Sequence, residues 1–501
     1  MRTRLFIDGQ FQEAASGEIF PTRDPARLTE IAHISRAGLE DVDRALAAAR
    51  HAFDHGPWPR MSPAERAELL RAIADRLESH PDLAELEARD SGGTIRRISV
   101  MDVPWAVGTF RAFADLAEHT PEEVDLPFDE RAPGRHVVRR EPIGVCAGII
   151  PWNFPLLMAA WKVAPAIAAG NTLVLKPACM TPLTALELAD VAHRAGLPPG
   201  VLNVIPGPGE VVGEALASSP LVDKVAFTGS TAVGRRIMEL ASPTVKPVLL
   251  ELGGKSANIV LDDADLDVAA GAVLWAAFIH AGQACEAGTR VLVQRSIFEE
   301  LTQLLVERAA ALRFGDPLDP DSDLGPLASR DRAKHVAAYV AIGVGEVGPP
   351  ICGGAHPDGL PEGLDREAFY LPTIFKDVDN RARIAQEEIF GPVITVTAFD
   401  TDDEAVALAN DTIYGLAAGV QSGDVGRARA IARRLQAGTV WINDWHAFDL
   451  RAPFGGYKQS GIGRELGRWG FESYQQLKHI GENPALEQAS HPPLAVLGNA
   501  V

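Results

Sequence analysis

The chain has 501 residues, 47% of them hydrophobic and 23% charged, and a formal net charge of −20. That length exceeds what a single core supports, so two or more domains are expected in a soluble globular protein. The acidic balance excludes a nucleic-acid partner, because phosphate backbones need surfaces rich in Lys and Arg.

The first residues are basic but hold an apolar run of only three, Leu5-Phe6-Ile7, too short for a secretory signal. His51 and His55 stand at helical spacing without a third ligand, which makes a solvated pair beside Gly56-Pro57 and no metal site. Ser62-Pro63-Ala64-Glu65 opens a helix, with Ser62 as cap and Glu65 closing the capping box. Ala67, Leu70, Ile73, Ala74 and Leu77 then recur at helical spacing. The segment 118–135 is polar and contains proline. Residues 143–161 carry no charge and are nearly long enough to span a bilayer. Pro151, Asn153 and Pro155 interrupt them, so a buried strand, a turn and a core helix are expected, and no membrane partner.

From about residue 143 short β-rich runs alternate with helices. Residues 172–175, 201–205 and 224–227 are expected strands. Residues 184–194 form a helix closed by Gly196, and another helix starts at Thr231. A second alternation follows Glu251, with strands at 258–261, 290–293 and 439–442. Alternating βα units imply mostly parallel sheets covered by helices. Residues 483–501 read as a loose tail or an arm laid on a neighbour. Four cysteines stand apart with no Cys-x-x-Cys pair, which suits a reducing compartment such as the cytoplasm.

Several motifs carry chemistry. Cys285, in Gly282-Gln283-Ala284-Cys285-Glu286-Ala287-Gly288, is the candidate nucleophile. A lone cysteine is more often a small buried hydrophobe, and Cys146, Cys179 and Cys352 keep that reading. Asn153, in Pro151-Trp152-Asn153-Phe154-Pro155, offers a carboxamide for an oxyanion; alone it would equally suit an Asx turn. Glu251 follows apolar Leu249-Leu250 and precedes Gly253-Gly254, the placing of a buried general base at a strand end. Gly229-Ser230-Thr231-Ala232-Val233-Gly234 lacks the usual dinucleotide glycine spacing. Its position between strand and helix still turns backbone N–H groups toward an anion.

With Glu387-Glu388-Ile389-Phe390-Gly391-Pro392-Val393 and Pro453-Phe454-Gly455-Gly456-Tyr457-Lys458, these motifs in register resemble the aldehyde dehydrogenase superfamily over nearly the whole chain. The resemblance implies NAD(P)-dependent oxidation of an aldehyde to a carboxylic acid. It implies two parallel-type, Rossmann-like α/β domains and a small β hairpin for oligomerisation. Residues 1–119 and 143–254 would bind the cofactor and 255–470 would form the catalytic domain. Residues 120–142 and 471–485 would bridge subunits of a homodimer or homotetramer, leaving 486–501 as a tail.

By the same resemblance Ser230 touches the pyrophosphate, with Gly229 and Val233 in the same turn, and Trp152 lines the cofactor cleft. Glu388 holds the nicotinamide ribose and Phe390 presses on the nicotinamide. Lys176 contacts the adenosine ribose. Cys179 stands where NAD-preferring relatives usually carry glutamate, so either NAD or NADP is accommodated. Lys162 and Glu465 match helper positions, read equally as a proton relay or as a structural ion pair. Phe154, Trp161, Phe448 and Phe454 form aromatic walls suited to a neutral aliphatic or aromatic aldehyde.

Two charges complicate that channel. Arg451 could grip the carboxylate of a semialdehyde. Alternatively it pairs with Glu286 across the tunnel, the favoured reading because an unpaired buried Glu286 is costly. Three other functions compete. A non-catalytic descendant is disfavoured by the presence of Cys285, Glu251 and Asn153. A thiol hydrolase needs a histidine partner, which these motifs lack. A CoA-acylating enzyme would not need Glu251 to activate water.

Overall fold

The apolar runs collect into two separate sheets in the computed structural model, which describes residues 1–129 and 134–482. The first sheet has eight strands, in the spatial order Gly461–Ile462, Val248–Glu251, Lys224–Thr228, Val145–Ile149, Thr172–Lys176, Leu202–Val204, Leu5–Ile7 and Gln10–Gln12. The five from Val248–Glu251 to Leu202–Val204 run parallel, and the flanking strands pair antiparallel. Val145–Ile149, Thr172–Lys176 and Lys224–Thr228 are buried at every residue. Helices cover both faces of such strands, which is why they read as unbroken apolar runs without alternation.

The second sheet has six strands, all parallel: Thr373–Lys376, Val393–Phe399, Arg290–Gln294, Ala257–Val260, Ala417–Gln421 and Thr439–Ile442. The expected α/β class with two parallel-type sheets is what the chain adopts. The uncharged segment becomes the strand Val145–Ile149, a turn, and the helix Pro155–Ala168, which is buried at every position. No described helix is long and apolar enough to cross a membrane.

A third, three-stranded sheet pairs Glu123–Asp125 with Arg135–Pro142 and the latter with Gln475–Glu482. Glu123–Asp125 lies within the polar stretch 118–135. The tail beyond 482 lies outside the described residues.

Register decides where a site forms. Thr228 sits opposite Glu251, Phe227 opposite Ile149, and Ile149 opposite Lys176, so four strands end in one row. In the second sheet Ala257 sits opposite Arg290, and Arg290 opposite Thr395, so three strands begin close together. Residues 252–256 join the end of Val248–Glu251 directly to the start of Ala257–Val260. The carboxyl edge of one sheet therefore meets the amino edge of the other, and carboxyl edges are where open α/β sheets bind ligands.

The helix Pro63–Glu78 carries the expected capping box. Ser62 Oγ accepts from Glu65 N at 3.3 Å, and Ser62 N donates to Glu65 Oε2 at 2.7 Å. Ser62→Ala should remove about 1 kcal/mol from this helix end. Amide exchange in its first turn, read by mass spectrometry, should accelerate about fivefold.

Candidate active site

Between the two sheet edges lies a cavity of about 310 Å³. Cys285 enters it from the loop after the helix Leu266–Phe278, next to a turn where His280 and Ala281 hold φ of 50° and 53°. Asn153 enters from the loop after Val145–Ile149 and Glu251 from the end of its own strand. Three residues separated widely in sequence thus converge because of strand register.

Asn153 is buried, and its Nδ2 donates to the carbonyl of Gln283 at 2.8 Å, two residues before Cys285. An amide nitrogen has two hydrogens. One anchors Asn153 to the thiol's own loop, leaving the second for an oxygen in the cavity. The prolines on either side of Asn153 restrict the backbone that aims it.

Glu251 is buried, and neither of its carboxylate oxygens has a hydrogen-bond partner. Burial, with the Glu465 charge second, raises it well above the ordinary carboxylate range. Gly455 explains how the carboxylate fits: its φ is 151°, and a Cβ there would lie 2.6 Å from Glu251 Oε1. Beneath Glu251 is a fully buried ion pair of Lys162 and Glu465. Lys162 Nζ also donates to Thr228 Oγ1 at 2.7 Å, while Glu465 Oε2 has no partner. Glu465 lines the cavity wall; Lys162 lies behind it. Burial raises Glu465 as well, against the lowering effect of Lys162.

Toward the first sheet the cavity becomes a cleft. Gly229 and Ser230 border it, and Ser230 caps the helix Thr231–Ala241, its Oγ accepting from Val233 N at 3.4 Å. Val233 itself is exposed and outside the cavity. Trp152 and Phe390 meet edge to face at 5.3 Å between centroids. Arg332, which no motif indicated, has its guanidinium over both rings at 6.0 and 5.8 Å and donates to Ile389 O at 3.1 Å. Glu388 accepts from Gly254 N at 3.1 Å, and burial pushes its pKa up to about 7. Any Cβ at Gly253 would collide with that carboxylate.

Lys176 and Cys179 stand apart from the cavity, at and just beyond the carboxyl end of Thr172–Lys176. Lys176 is buried with Nζ donating to Pro177 O at 2.7 Å, and Cys179 is half-buried. Burial lowers the Lys176 pKa and raises that of Cys179.

The opposite mouth is aromatic. Phe454 and Phe448 lie 5.2 and 5.9 Å from Trp161, and Trp105 meets Phe448 at 5.3 Å. Phe154 packs under Arg97 at 4.7 Å. All four expected aromatic residues reach the cavity, joined by Met101, Leu157 and Met158.

The expected Glu286–Arg451 pair does not form. Arg451 is exposed, with Nε and Nη2 on Asp449 at 2.9 and 2.7 Å, and it does not border the cavity. An aspartate two residues away, reachable in solvent, takes the guanidinium at little cost. Glu286 instead pairs with His446, Oε1 to Nδ1 at 2.9 Å, and its Oε2 accepts from Cys285 Sγ at 3.1 Å. No motif singles out His446, although Phe448, two residues on, is expected in the channel wall.

Comparison with known proteins shows the family. The family model described as "Aldehyde dehydrogenase family" matches residues 11–480. The chain is 45% identical over 487 residues to betaine aldehyde dehydrogenase of Bacillus subtilis, covering 96% of this chain and 98% of that one. It is 44% identical over 490 residues to mitochondrial benzaldehyde dehydrogenase of Antirrhinum majus, covering 96% and 90%. The crystal structure of Staphylococcus aureus betaine aldehyde dehydrogenase in complex with NAD+ superposes with a TM-score of 0.93 at 41% identity, covering 96% of this chain and 94% of that one.

Arg451→Ala should leave kcat/KM for a semialdehyde and for a neutral aldehyde unchanged within about twofold, as expected of an exposed pair. Gly455→Ala should displace Glu251 and lower steady-state turnover about 100-fold. Alkylation of Cys285 in that variant should proceed at the unmodified rate, measured by peptide mass spectrometry.

Proposed function

The chain belongs to the aldehyde dehydrogenase family, and from that premise we propose that it oxidises a neutral aliphatic or aromatic aldehyde to the acid through an adduct on Cys285. The observation that carries this reading is the convergence of Cys285, Asn153 and Glu251 on one cavity whose mouth is aromatic.

The cleft residues fit a nicotinamide dinucleotide. The capped N-terminus of Thr231–Ala241 offers backbone N–H groups to a pyrophosphate. Glu388 offers a carboxylate to ribose hydroxyls, and Trp152 with Phe390 offers aromatic surface to the nicotinamide ring. When bound, NAD(P)+ supplies the acceptor for the hydride that leaves the adduct. Cys179 carries no carboxylate to repel a 2′-phosphate. Lys176 and Arg36 act on it electrostatically, with Glu210 opposing, so either NAD+ or NADP+ is admitted.

The protein's own part has three stages. Cys285 Sγ adds to the aldehyde carbon, and the resulting oxyanion is held by Asn153 Nδ2 with the backbone N–H of Cys285. Loss of the hydride leaves a thioester on Cys285. Glu251 then takes a proton from water as the water oxygen attacks the thioester carbon, releasing the acid. The unpartnered Glu465 Oε2 and the electrostatic coupling of Glu465 to Glu251 support Glu465 and Lys162 as the route by which that proton leaves.

A second substrate reading has its own support. The ring of Trp161, Phe448 and Phe454 faces also suits a quaternary ammonium group, and the relative from Bacillus subtilis is named for betaine aldehyde. A panel of benzaldehyde, hexanal and betaine aldehyde with each cofactor separates the readings. The exposed Val124 and Leu477 of the three-stranded sheet, with Leu126 and Phe128 just after Glu123–Asp125, support a homodimer or homotetramer. Four free thiols support a reducing compartment such as the cytoplasm.

Cys285→Ser should abolish reduced-cofactor formation. Glu251→Gln should retain a burst of about one equivalent per site while steady turnover falls at least about 100-fold, as read by stopped-flow absorbance. The raised pKa of Glu251 sets the pH response. A base acts only when ionised, so steady turnover should fall as pH drops through that raised value, above the ordinary carboxylate range. The variant should lack this acid limb.

A further inference from the structure

Cys285, Glu286 and His446 form one hydrogen-bonded chain: the thiol donates to Glu286 Oε2 at 3.1 Å, and Glu286 Oε1 meets His446 Nδ1 at 2.9 Å. Glu286 and His446 are 5% and 2% exposed, so bulk solvent screens these contacts little. His446 is held rigidly. Its backbone adopts φ 59°, its ring meets Trp275 edge to face at 5.3 Å, and Trp441 Nε1 fixes the next residue by donating to Ala447 O at 3.0 Å. An ionised carboxylate only accepts, so Nδ1 carries the hydrogen in this contact, and Nε2 has no partner.

A carboxylate buried beside a nucleophilic thiol is costly in two ways. It loses hydration, and its charge opposes the thiolate. Burial raises the Cys285 pKa well above its ordinary value, and the charge of Glu286 raises it further, with Glu388 and Glu251 adding to the effect. The same carboxylate is aimed at the thiol hydrogen. Burial pushes Glu286 up, but the hydrogen bonds it accepts, that from His446 first and those from the backbone and Cys285 with it, leave Glu286 below its ordinary value.

We infer that Glu286 is the proton acceptor for Cys285 in the addition step, and that His446 is the positioning residue that aims it. The inference rests on the aldehyde-oxidising reading above. As the Sγ–C bond forms, the Sγ–H bond breaks and its proton goes to Glu286 Oε2. The carbonyl π pair moves to the oxygen held by Asn153. When the thioester is hydrolysed, the departing Cys285 thiolate takes the proton back from Glu286, so the pair ends each cycle as it began. The two carboxylates then divide the work: Glu286 serves the thiol and Glu251 serves the water.

The decisive property is that a purely electrostatic or structural Glu286 predicts the opposite sign. Removing its charge would ease thiolate formation and speed the reaction. Glu286→Gln, similar in size and able to keep the His446 contact, should instead slow the burst of reduced cofactor at neutral pH about 100-fold. The burst rate of this variant should climb about tenfold per pH unit as the thiol ionises unaided. That of the unmodified enzyme should stay flat between about pH 6 and 8. His446→Leu should introduce an acid limb into the burst, and His446→Asn, which keeps a donor, should restore the flat profile. An equal or faster burst in Glu286→Gln overturns the inference. So does a steep pH rise in iodoacetamide alkylation of Cys285 in the unmodified protein, a measurement that needs no variant to fold. A burst that survives Cys285→Ser would instead overturn the underlying reading, so the two failures are distinct.

Discussion

A carboxylate taken out of water must find donors, pair with a cation or accept a proton, and four of them surround one thiol here. Each meets the requirement differently. Glu465 has Lys162, Glu286 has His446 and the thiol, and Glu388 has the N–H of Gly254. Glu251 has nothing. That orphaned carboxylate is the one we propose takes a proton from water, because no hydrogen-bond donor offsets its burial. The proposed division of roles in the site follows from the division of partners.

The sheets exist, in functional terms, to bring these groups to one place. Parallel strands in register end in a common row, so Asn153, Ser230 and Glu251 arrive at one edge although they lie in separate βα units. The five-residue link 252–256 then ties that edge to the start of the second sheet, where Cys285 and Glu388 wait. The link carries two glycines because Glu388 and the Cys285 loop pack directly against its backbone. The motif residues without chemistry of their own are therefore space-makers for those that have it.

Much of this was legible in the sequence, for a definite reason. Strand and helix positions followed from short apolar runs and caps, and the strand Thr439–Ile442 matched to the residue. Cys285, Asn153 and Glu251 stood out because unusual residue types sat inside glycine- and proline-bounded motifs. Charge pairing was less legible. Arg451 looked like the partner of Glu286, yet a short local contact with Asp449 holds it in solvent, while Glu286 found a histidine 160 residues away. Linear sequence counts charges but does not show which way they point. His446 and Arg332 carry no motif, and only the packing of aromatic rings around them marks their place.

The central claim is that oxidation proceeds through an acyl group carried on Cys285 and released by Glu251. The most direct measurement is rapid quench of Glu251→Gln with aldehyde and cofactor, followed by peptide mass spectrometry. The account predicts the mass of the acyl group on the peptide containing Cys285, approaching one per site, and no modification of Cys146, Cys179 or Cys352. Reduced cofactor formed without any adduct on Cys285, or with the adduct on another residue, would contradict it.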